Sequence, residues 1–133
     1  MPVARRDLPI TLDLTPEQIA IYRFKAHQRR RQEQPEIERR RQHAWEAARE
    51  AARLLKREFG ATRVVVFGSL ARGIGFTQWS DVDIAAWGLA SEDTFRAIGV
   101  IMDLKTEVKV NLVDINTARP SLLEVIERDG IAL

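Results

Sequence analysis

Two short motifs hold the residues of this chain that are best suited to chemistry. Gly68 and Ser69 directly follow the apolar run 64–67, and eleven residues separate Ser69 from the segment Asp81-Val82-Asp83. Gly68 allows a phosphate to approach the backbone closely, because it has no Cβ. The N–H groups that open a helical turn, together with the Ser69 hydroxyl, can hydrogen-bond to an anion, and Arg72 adds a bidentate guanidinium. The first motif therefore predicts a phosphate-binding turn.

The two aspartates of the second motif predict a metal site. Side chains alternate along a strand, so Asp81 and Asp83 should project to one side and Val82 to the other. Magnesium prefers oxygen ligands, and it is commonly held by one or two carboxylates together with substrate phosphates. There it neutralises charge on the transferred group. We therefore expect Asp81 and Asp83 to bind Mg²⁺, with ATP or another nucleoside triphosphate as substrate.

Each motif alone also has an ordinary structural explanation. A Gly-Ser pair is a common turn, and Asp-x-Asp occurs at many strand ends. In this chain an apolar strand, the segment GSLARG, a short loop and the segment SDVDIAAW follow one another. That order brings both motifs to the same edge of one sheet, which favours a functional site over a coincidence.

The combined motif resembles that of the minimal nucleotidyltransferases of the DNA polymerase β-like superfamily, which reads G-S-x-A-R-G, a spacer and then S-D-x-D. The matching residues are Gly68, Ser69, Ala71, Arg72, Gly73, Ser80, Asp81 and Asp83. The resemblance covers residues 60–133. It implies nucleotide binding by Gly68, Ser69, Arg72 and Ser80, and a catalytic, metal-binding role for Asp81 and Asp83.

The chain departs from this family at the third catalytic position. The family usually places a third carboxylate in a segment similar to V-D-L-V, and the corresponding segment here is Val110-Asn111-Leu112-Val113. Asp114 has the opposite strand parity and should face away, and Glu107 lies roughly 13 Å along the strand. Asn111 can offer an oxygen to a metal but cannot act as a general base, a role that typically contributes about 10²- to 10⁴-fold. Turnover could therefore be weakened while nucleotide binding survives.

Length and composition restrict the class of protein. The chain has 133 residues and no cysteine, which excludes disulfides and thiolate metal sites. Its N-terminus, MPVARRDLPI, lacks the apolar core of a signal peptide, and no apolar run has the length of a membrane span. We expect a cytoplasmic protein with no membrane contact. The chain is too short to add a full acceptor domain, so the acceptor should come from another molecule.

Charge is distributed unevenly along the chain. Residues 23–57 contain twelve Lys and Arg and five Glu, a net charge of +7 that leaves −5 for the rest of a chain with net charge +2. We predict a helical, arginine-rich N-terminal extension over residues 1–59 and a minimal nucleotidyltransferase domain over residues 60–133. The arginines of residues 29–31 and 39–41 should lie beyond the domain core. They form either a solvated face paired with glutamates or a surface for a partner or RNA. Few aromatic residues accompany them, so direct nucleic-acid binding is not expected.

The predicted fold class is α+β, a nucleotidyltransferase fold with a small mixed β-sheet flanked by helices. Thr15 should cap a first helix that Pro35 interrupts, and a second helix should run from Glu36 to Glu58 and stop at Gly60. We then expect a helix over residues 91–103 and a strand over 107–113. A capping box, Ser121 to Glu124, should open a last helix that ends at Gly130, with an edge strand after it.

Four side chains near these elements have more than one explanation. Phe76 and Trp79, in the loop before the aspartates, either stack on an adenine or contact a protein acceptor, or else they pack the loop onto the core. Trp87 shares strand parity with Asp83 and is expected in the core. His43 should be a surface residue, because no carboxylate or cysteine lies at metal-binding spacing from it in the sequence.

Stand-alone proteins that resemble this one are commonly antitoxins paired with a HEPN-family ribonuclease toxin. The resemblance implies protein AMPylation, the transfer of AMP from ATP to a hydroxyl of the toxin, a tyrosine in such pairs. One alternative is an inactive antitoxin that neutralises its partner by binding alone, and another is an RNA-binding adaptor. The sequence is compatible with either a homo-oligomer or a hetero-oligomer.

Overall fold

The computed structural model describes residues 14–133. The segment MPVARRDLPI, for which the sequence predicts no signal peptide, lies outside them. The chain divides into two compact units, with the boundary between Pro35 and Glu36. No helix within residues 14–133 is long and apolar enough to cross a membrane.

The first helix, α1, covers Pro16–Phe59. Its start was predicted correctly: the Thr15 N–H donates to Gln18 Oε1 at 2.8 Å, and the Gln18 N–H donates to Thr15 Oγ1 at 3.2 Å. The predicted interruption at Pro35 was wrong, because the helix continues through it. Proline removes one backbone hydrogen bond from a helix, and in a helix of 44 residues the turns on either side remain bonded.

The last four turns of α1 supply much of the core. Alanines at helical spacing, together with Leu55 and Phe59, form a buried stripe in the same apolar cluster as residues of the sheet. The buried alanines are Ala44, Ala47, Ala48, Ala51 and Ala52. Gly60 then ends the helix with a φ of 69°, as the sequence predicted.

Four strands form one mixed sheet: β1 Arg63–Phe67, β2 Val82–Trp87, β3 Val110–Asp114 and β4 Ile131–Ala132. Their order across the sheet is β3-β2-β1-β4. β1 is antiparallel to both β2 and β4, and β2 is parallel to β3. The predicted α+β class and small mixed sheet are confirmed. β3 begins three residues later than the strand predicted over residues 107–113.

Short helices connect the strands. α2 is Ser69–Arg72, α3 is Thr94–Met102 after a 3₁₀ turn at Ser91–Asp93, and α4 is Pro120–Asp129 after a 3₁₀ turn at Ile115–Thr117. The predicted capping box at Ser121 was wrong, since α4 already begins at Pro120. Proline suits the first helical position because its φ is fixed and its missing N–H is not needed there.

The sheet has a large and a small buried face. The larger core includes Val64, Val66 and Ile84 on the sheet together with the α1 stripe. On the opposite face Val65, Phe67 and Ala85 pack against Ile126 of α4. By strand parity, Asp83 lies on this second face, beyond the apolar cluster.

Candidate nucleotide and metal site

The turn after β1 is built on Gly68. Its backbone has φ 77° and ψ −156°, a conformation essentially restricted to glycine. A Cβ at this position would lie 2.8 Å from Asp83 Oδ2. Gly68 is therefore required both by the backbone conformation and by the close approach of a carboxylate.

The helical turn α2 follows directly. The Arg72 N–H donates to Gly68 O and the Gly73 N–H donates to Ser69 O, both at 3.0 Å. Gly73 closes the turn with a left-handed φ of 72°. Ser69 is half-buried and Arg72 is exposed at the end of the turn. The structure therefore has the strand, glycine and turn that the first motif predicts, and the phosphate-binding role stays a prediction.

Asp83 occupies the middle of the site. On β2 it is opposite Phe67 of β1 and opposite Asn111 of β3. Asn111 Nδ2 donates to Asp83 Oδ1 at 3.4 Å. Asn111 thus occupies the position beside Asp83 at which the sequence comparison expects a third carboxylate.

Burial raises the pKa of Asp83 above its ordinary value. The hydrogen bond from Asn111 acts in the opposite direction, and the negative charge of Asp81 raises the pKa further. The two carboxylates are therefore close enough to repel each other. A cation between them would relieve that repulsion and favour the ionised form of Asp83.

Asp81 lies one residue before β2 and is half-buried. The expectation that both aspartates lie within the strand was therefore correct for Asp83 only. The Val82 N–H, on the far side of Asp81, donates to Lys109 O at 2.9 Å. Asp81 is thus attached to the end of the sheet through its C-terminal neighbour.

Ser80 shapes the loop that leads to Asp81. Its hydroxyl accepts a hydrogen bond from the Thr77 N–H at 2.9 Å, and the Trp79 N–H donates to Thr77 Oγ1 at 3.1 Å. The backbone carbonyl of Ser80 accepts a hydrogen bond from Arg40 Nη2 at 2.9 Å. The predicted contact of Ser80 with a nucleotide stays a prediction.

Two arginines of α1 contact this loop, contrary to the prediction that residues 39–41 lie beyond the core. Arg40 is half-buried and bonds to Ser80, and the Arg41 guanidinium carbon lies 5.1 Å from the centroid of the Phe76 ring. Of residues 39–41, only Arg39 is exposed, and its Nη2 lies 2.9 Å from Glu36 Oε2. The sequence contains a signal for Arg40, because it lies four residues before Ala44 and extends the buried stripe by one turn.

The two aromatic residues of the loop have different environments. Phe76 is 6% exposed and packs in the core, whereas Trp79 is 81% exposed. Of the alternatives left open by the sequence, core packing therefore holds for Phe76. Trp79 remains accessible to a ligand or a partner.

Trp87, near the end of β2, is half-buried. The guanidinium carbon of Arg63 lies 4.1 Å from the centroid of the Trp87 ring.

The remaining acidic residues near β3 are separate from the site. Asp114 is 1% exposed and accepts hydrogen bonds from Thr94 Oγ1 at 2.6 Å and from the Asn116 N–H at 3.0 Å. It faces away from Asp83, as strand parity predicts. Glu107 is exposed and contacts His43 Nδ1 at 2.5 Å. This contact joins two segments that are distant in sequence, and the sequence spacing around His43 does not predict it.

The candidate metal ligands at this site are the carboxylates of Asp81 and Asp83 and the side-chain amide of Asn111. Within residues 14–133, no three His, Cys, Asp or Glu side chains form a cluster that could hold a metal ion. A metal at Asp81 and Asp83 would therefore take further oxygen ligands from a substrate or water, a mode of binding that is typical of Mg²⁺ with nucleotides.

Residues 49–133 match the family model described as polymerase beta, nucleotidyltransferase. The chain belongs to this nucleotidyltransferase family. The superfamily resemblance inferred from the motifs is thereby confirmed. No curated protein matches the chain by sequence.

Solved structures that are similar to this chain include three crystal structures of toxin–antitoxin proteins. One, described as a mutant of the toxin–antitoxin MntA-HpeT, is 25% identical, covers 64% of this chain and 69% of its own, and has a TM-score of 0.52. A second MntA-HpeT mutant is 18% identical, with 64% and 70% coverage and a TM-score of 0.51. A toxin–antitoxin with AMP-PNP is 22% identical, with 62% and 69% coverage and a TM-score of 0.50. The second and third structures are less than 25% identical to this chain, so their similarity shows a shared fold alone.

Proposed function

We propose that this chain is an antitoxin that binds ATP and Mg²⁺ and transfers AMP to a hydroxyl, a tyrosine, of a partner HEPN ribonuclease toxin. Family membership supports the transferase class, and the 25% identity with the MntA-HpeT antitoxin complex supports a toxin as partner. The observation that carries the proposal is the position of Asp83. It lies against the Gly68 turn on one side and beside Asn111 on the other.

The residues present fit a magnesium ion. Asp81 and Asp83 supply two hard oxygen ligands. Burial, and to a smaller degree the negative charge of Asp81, raise the pKa of Asp83, and a bound cation would act against both. Asn111 would add its amide oxygen only after a turn of the side chain, because its Nδ2 now faces Asp83. When bound, Mg²⁺ would neutralise charge on the phosphates.

The phosphates would bind at the Gly68 turn. The N–H groups at the start of α2, the Ser69 hydroxyl and the exposed Arg72 guanidinium offer donors of the required kind. The Ser80 hydroxyl accepts a hydrogen bond from the Thr77 N–H and lies 3.3 Å from Thr77 Oγ1. With Thr77 as the donor in that second pair, the Ser80 O–H can donate to a nucleotide oxygen.

In the proposed step, the toxin hydroxyl oxygen attacks the α-phosphorus of ATP. The new oxygen–phosphorus bond forms as the bond to the bridging oxygen breaks, and pyrophosphate leaves with that oxygen. The hydroxyl proton passes to water, because Asn111 cannot accept it. The chain itself binds the phosphates, orients them and holds the charge in the transition state.

A second candidate function is neutralisation of the toxin by binding alone. It is favoured by the hydrogen bond from Asn111 to Asp83, in which an amide replaces the expected third carboxylate. In this case the site would bind nucleotide without efficient transfer.

The experiment that separates the two candidates is the intact mass of a co-expressed HEPN toxin after incubation with this protein, ATP and Mg²⁺. Transfer predicts a gain of AMP units with the unmodified chain and none with the double variant Asp81→Ala/Asp83→Ala. A gain that requires Asn111→Asp would support binding alone as the natural function. If the toxin mass is unchanged with every variant, the transferase proposal is wrong for that partner.

A further inference from the structure

The two aspartates of the site are held in different ways. Asp83 lies within β2, between neighbouring strands on both sides. Asp81 lies before the strand, so the sheet fixes only the peptide that follows it, through the bond from Val82 N–H to Lys109 O. The peptide unit that joins Ser80 to Asp81 contains the Ser80 carbonyl. Arg40 Nη2 donates a hydrogen bond to this carbonyl at 2.9 Å.

We propose that Arg40 is a positioning residue for Asp81, and this inference depends on the proposed function, in which Asp81 binds the metal. A peptide unit is planar, so a hydrogen bond to the Ser80 carbonyl restricts the orientation of the whole unit that enters Asp81. With the next peptide bound to Lys109, the backbone of Asp81 is fixed on both sides. Arg40 thus does for Asp81 what the neighbouring strands do for Asp83.

Packing alone gives no reason for an arginine at position 40. Its Nε is buried and has no hydrogen-bond partner among residues 14–133. A buried donor without a partner is unfavourable for folding. The guanidinium is nevertheless placed there, with its Nη2 directed at the Ser80 carbonyl. This combination is typical of a side chain retained for a specific contact.

The rest of the loop is held independently of Arg40. Phe76 is buried under Arg41, and the Ser80 hydroxyl bonds to the Thr77 N–H inside the loop. Loss of the Arg40 contact should therefore free the end of the loop next to Asp81 without unfolding the loop as a whole. The expected defect is local and specific to one metal ligand.

Hydrogen exchange tests the contact without any ligand. In Arg40→Ala we expect the amides of residues 80–82 to exchange about tenfold faster, which corresponds to the loss of one hydrogen bond. Arg39→Ala removes the same charge from the adjacent, exposed position and should leave these amides unchanged. Equal exchange in the two variants would overturn the proposal.

Metal binding tests the consequence. We expect Arg40→Ala to weaken Mg²⁺ binding, measured by calorimetry in the presence of a non-hydrolysable ATP analogue, by about tenfold. Arg40→Lys should recover part of the affinity, because an ammonium can still donate to a carbonyl. A purely structural role would lower the melting temperature but leave the metal affinity of the folded protein unchanged.

The outcomes separate the two proposals. Normal metal affinity in folded Arg40→Ala would overturn the positioning role and leave the proposed function intact. If the unmodified chain does not bind the ATP analogue with Mg²⁺, the proposed function fails, and the role of Arg40 with it.

Discussion

At the scale of single residues, Gly68 combines two requirements that can be separated by mutation. A Cβ there would approach Asp83 Oδ2 to 2.8 Å in a backbone conformation that other residues avoid. Gly75 also has a positive φ, of 80°, but an added Cβ would meet no described atom within 4 Å. Substitution at Gly75 therefore adds backbone strain alone, and substitution at Gly68 adds strain and a collision with the carboxylate.

We expect Gly68→Ala to destabilise the fold by about 1 to 3 kcal/mol and to abolish nucleotide binding. Gly75→Ala should cost about 1 kcal/mol and leave nucleotide binding intact. Denaturant unfolding gives the stabilities, and calorimetry with a non-hydrolysable ATP analogue gives the affinities. Similar affinities in the two variants would show that the Gly68 turn does not contact the nucleotide.

The raised pKa of Asp83 predicts a pH dependence of stability. Because the folded-state pKa lies above the ordinary value of 3.8, the folded protein binds the proton more tightly than the unfolded chain does. The resulting stabilisation is fully present below pH 3.8 and is lost as the pH rises through the raised pKa. Asp83→Asn should therefore remove this part of the pH dependence.

The measurement is the free energy of unfolding of the metal-free protein from acid to neutral pH, for the unmodified chain and for Asp83→Asn. We expect the difference between them to change in favour of the variant as the pH rises. Adding Mg²⁺ with an ATP analogue should stabilise only the unmodified chain, because a ligand of the folded state raises stability. A constant difference across the pH range would contradict the raised pKa.

At the scale of elements, the sequence predicted those features that depend on local pattern. The apolar run before Gly68 predicted β1 and its turn, and the family resemblance predicted that Asn111 lies on a strand next to the one that carries Asp83. Parity also placed Asp114 on the opposite face. These predictions succeeded because alternation along a strand and glycine geometry are properties of a few neighbouring residues.

The features that were missed depend on contacts between distant segments. Arg40 and Ser80 are joined by the packing of α1 on the site loop, and His43 and Glu107 are joined in the same way. A proline normally ends a helix, and no local pattern indicates that Pro35 is retained inside one. Tertiary packing explains the first two contacts, whereas Pro35 is exposed and the helix continues through it because the turns on either side remain bonded.

The two aromatic residues of the loop between the motifs should differ in how their mutation affects stability and binding. Phe76 is buried and Trp79 is exposed. We expect Phe76→Ala to cost about 3 kcal/mol or more of stability, through the cavity it leaves, and Trp79→Ala to change stability by less than about 0.5 kcal/mol. If Trp79 contacts the acceptor, as its exposure beside Asp81 suggests, Trp79→Ala should also weaken association with the toxin.

Thermal unfolding and a toxin titration measured on the same two variants check this contrast. A loss of toxin affinity in Trp79→Ala with an unchanged melting temperature would assign the residue to the interface. A loss of affinity for an ATP analogue instead would assign it to adenine stacking, the other alternative that the sequence left open.

At the scale of the whole molecule, the extent of the catalytic domain depends on α1. The family match begins at residue 49, while the division into two units falls at Pro35 and Glu36. The boundary predicted between residues 59 and 60 stays a prediction. The buried stripe from Ala44 to Phe59 contributes seven side chains to the larger core, so its removal would expose one face of the sheet.

We therefore expect a fragment of residues 36–133 to unfold cooperatively, with a stability close to that of the full chain, and a fragment of residues 60–133 not to fold alone. Apolar burial contributes about 25 cal/mol per Å², and a domain stable by about 5 to 15 kcal/mol cannot lose a complete helix from its core. Denaturant unfolding of both fragments, followed by circular dichroism, makes the comparison. Cooperative unfolding of residues 60–133 would support the predicted boundary, and it would mean that Arg40 and the helix carrying it serve the site rather than the stability of the sheet.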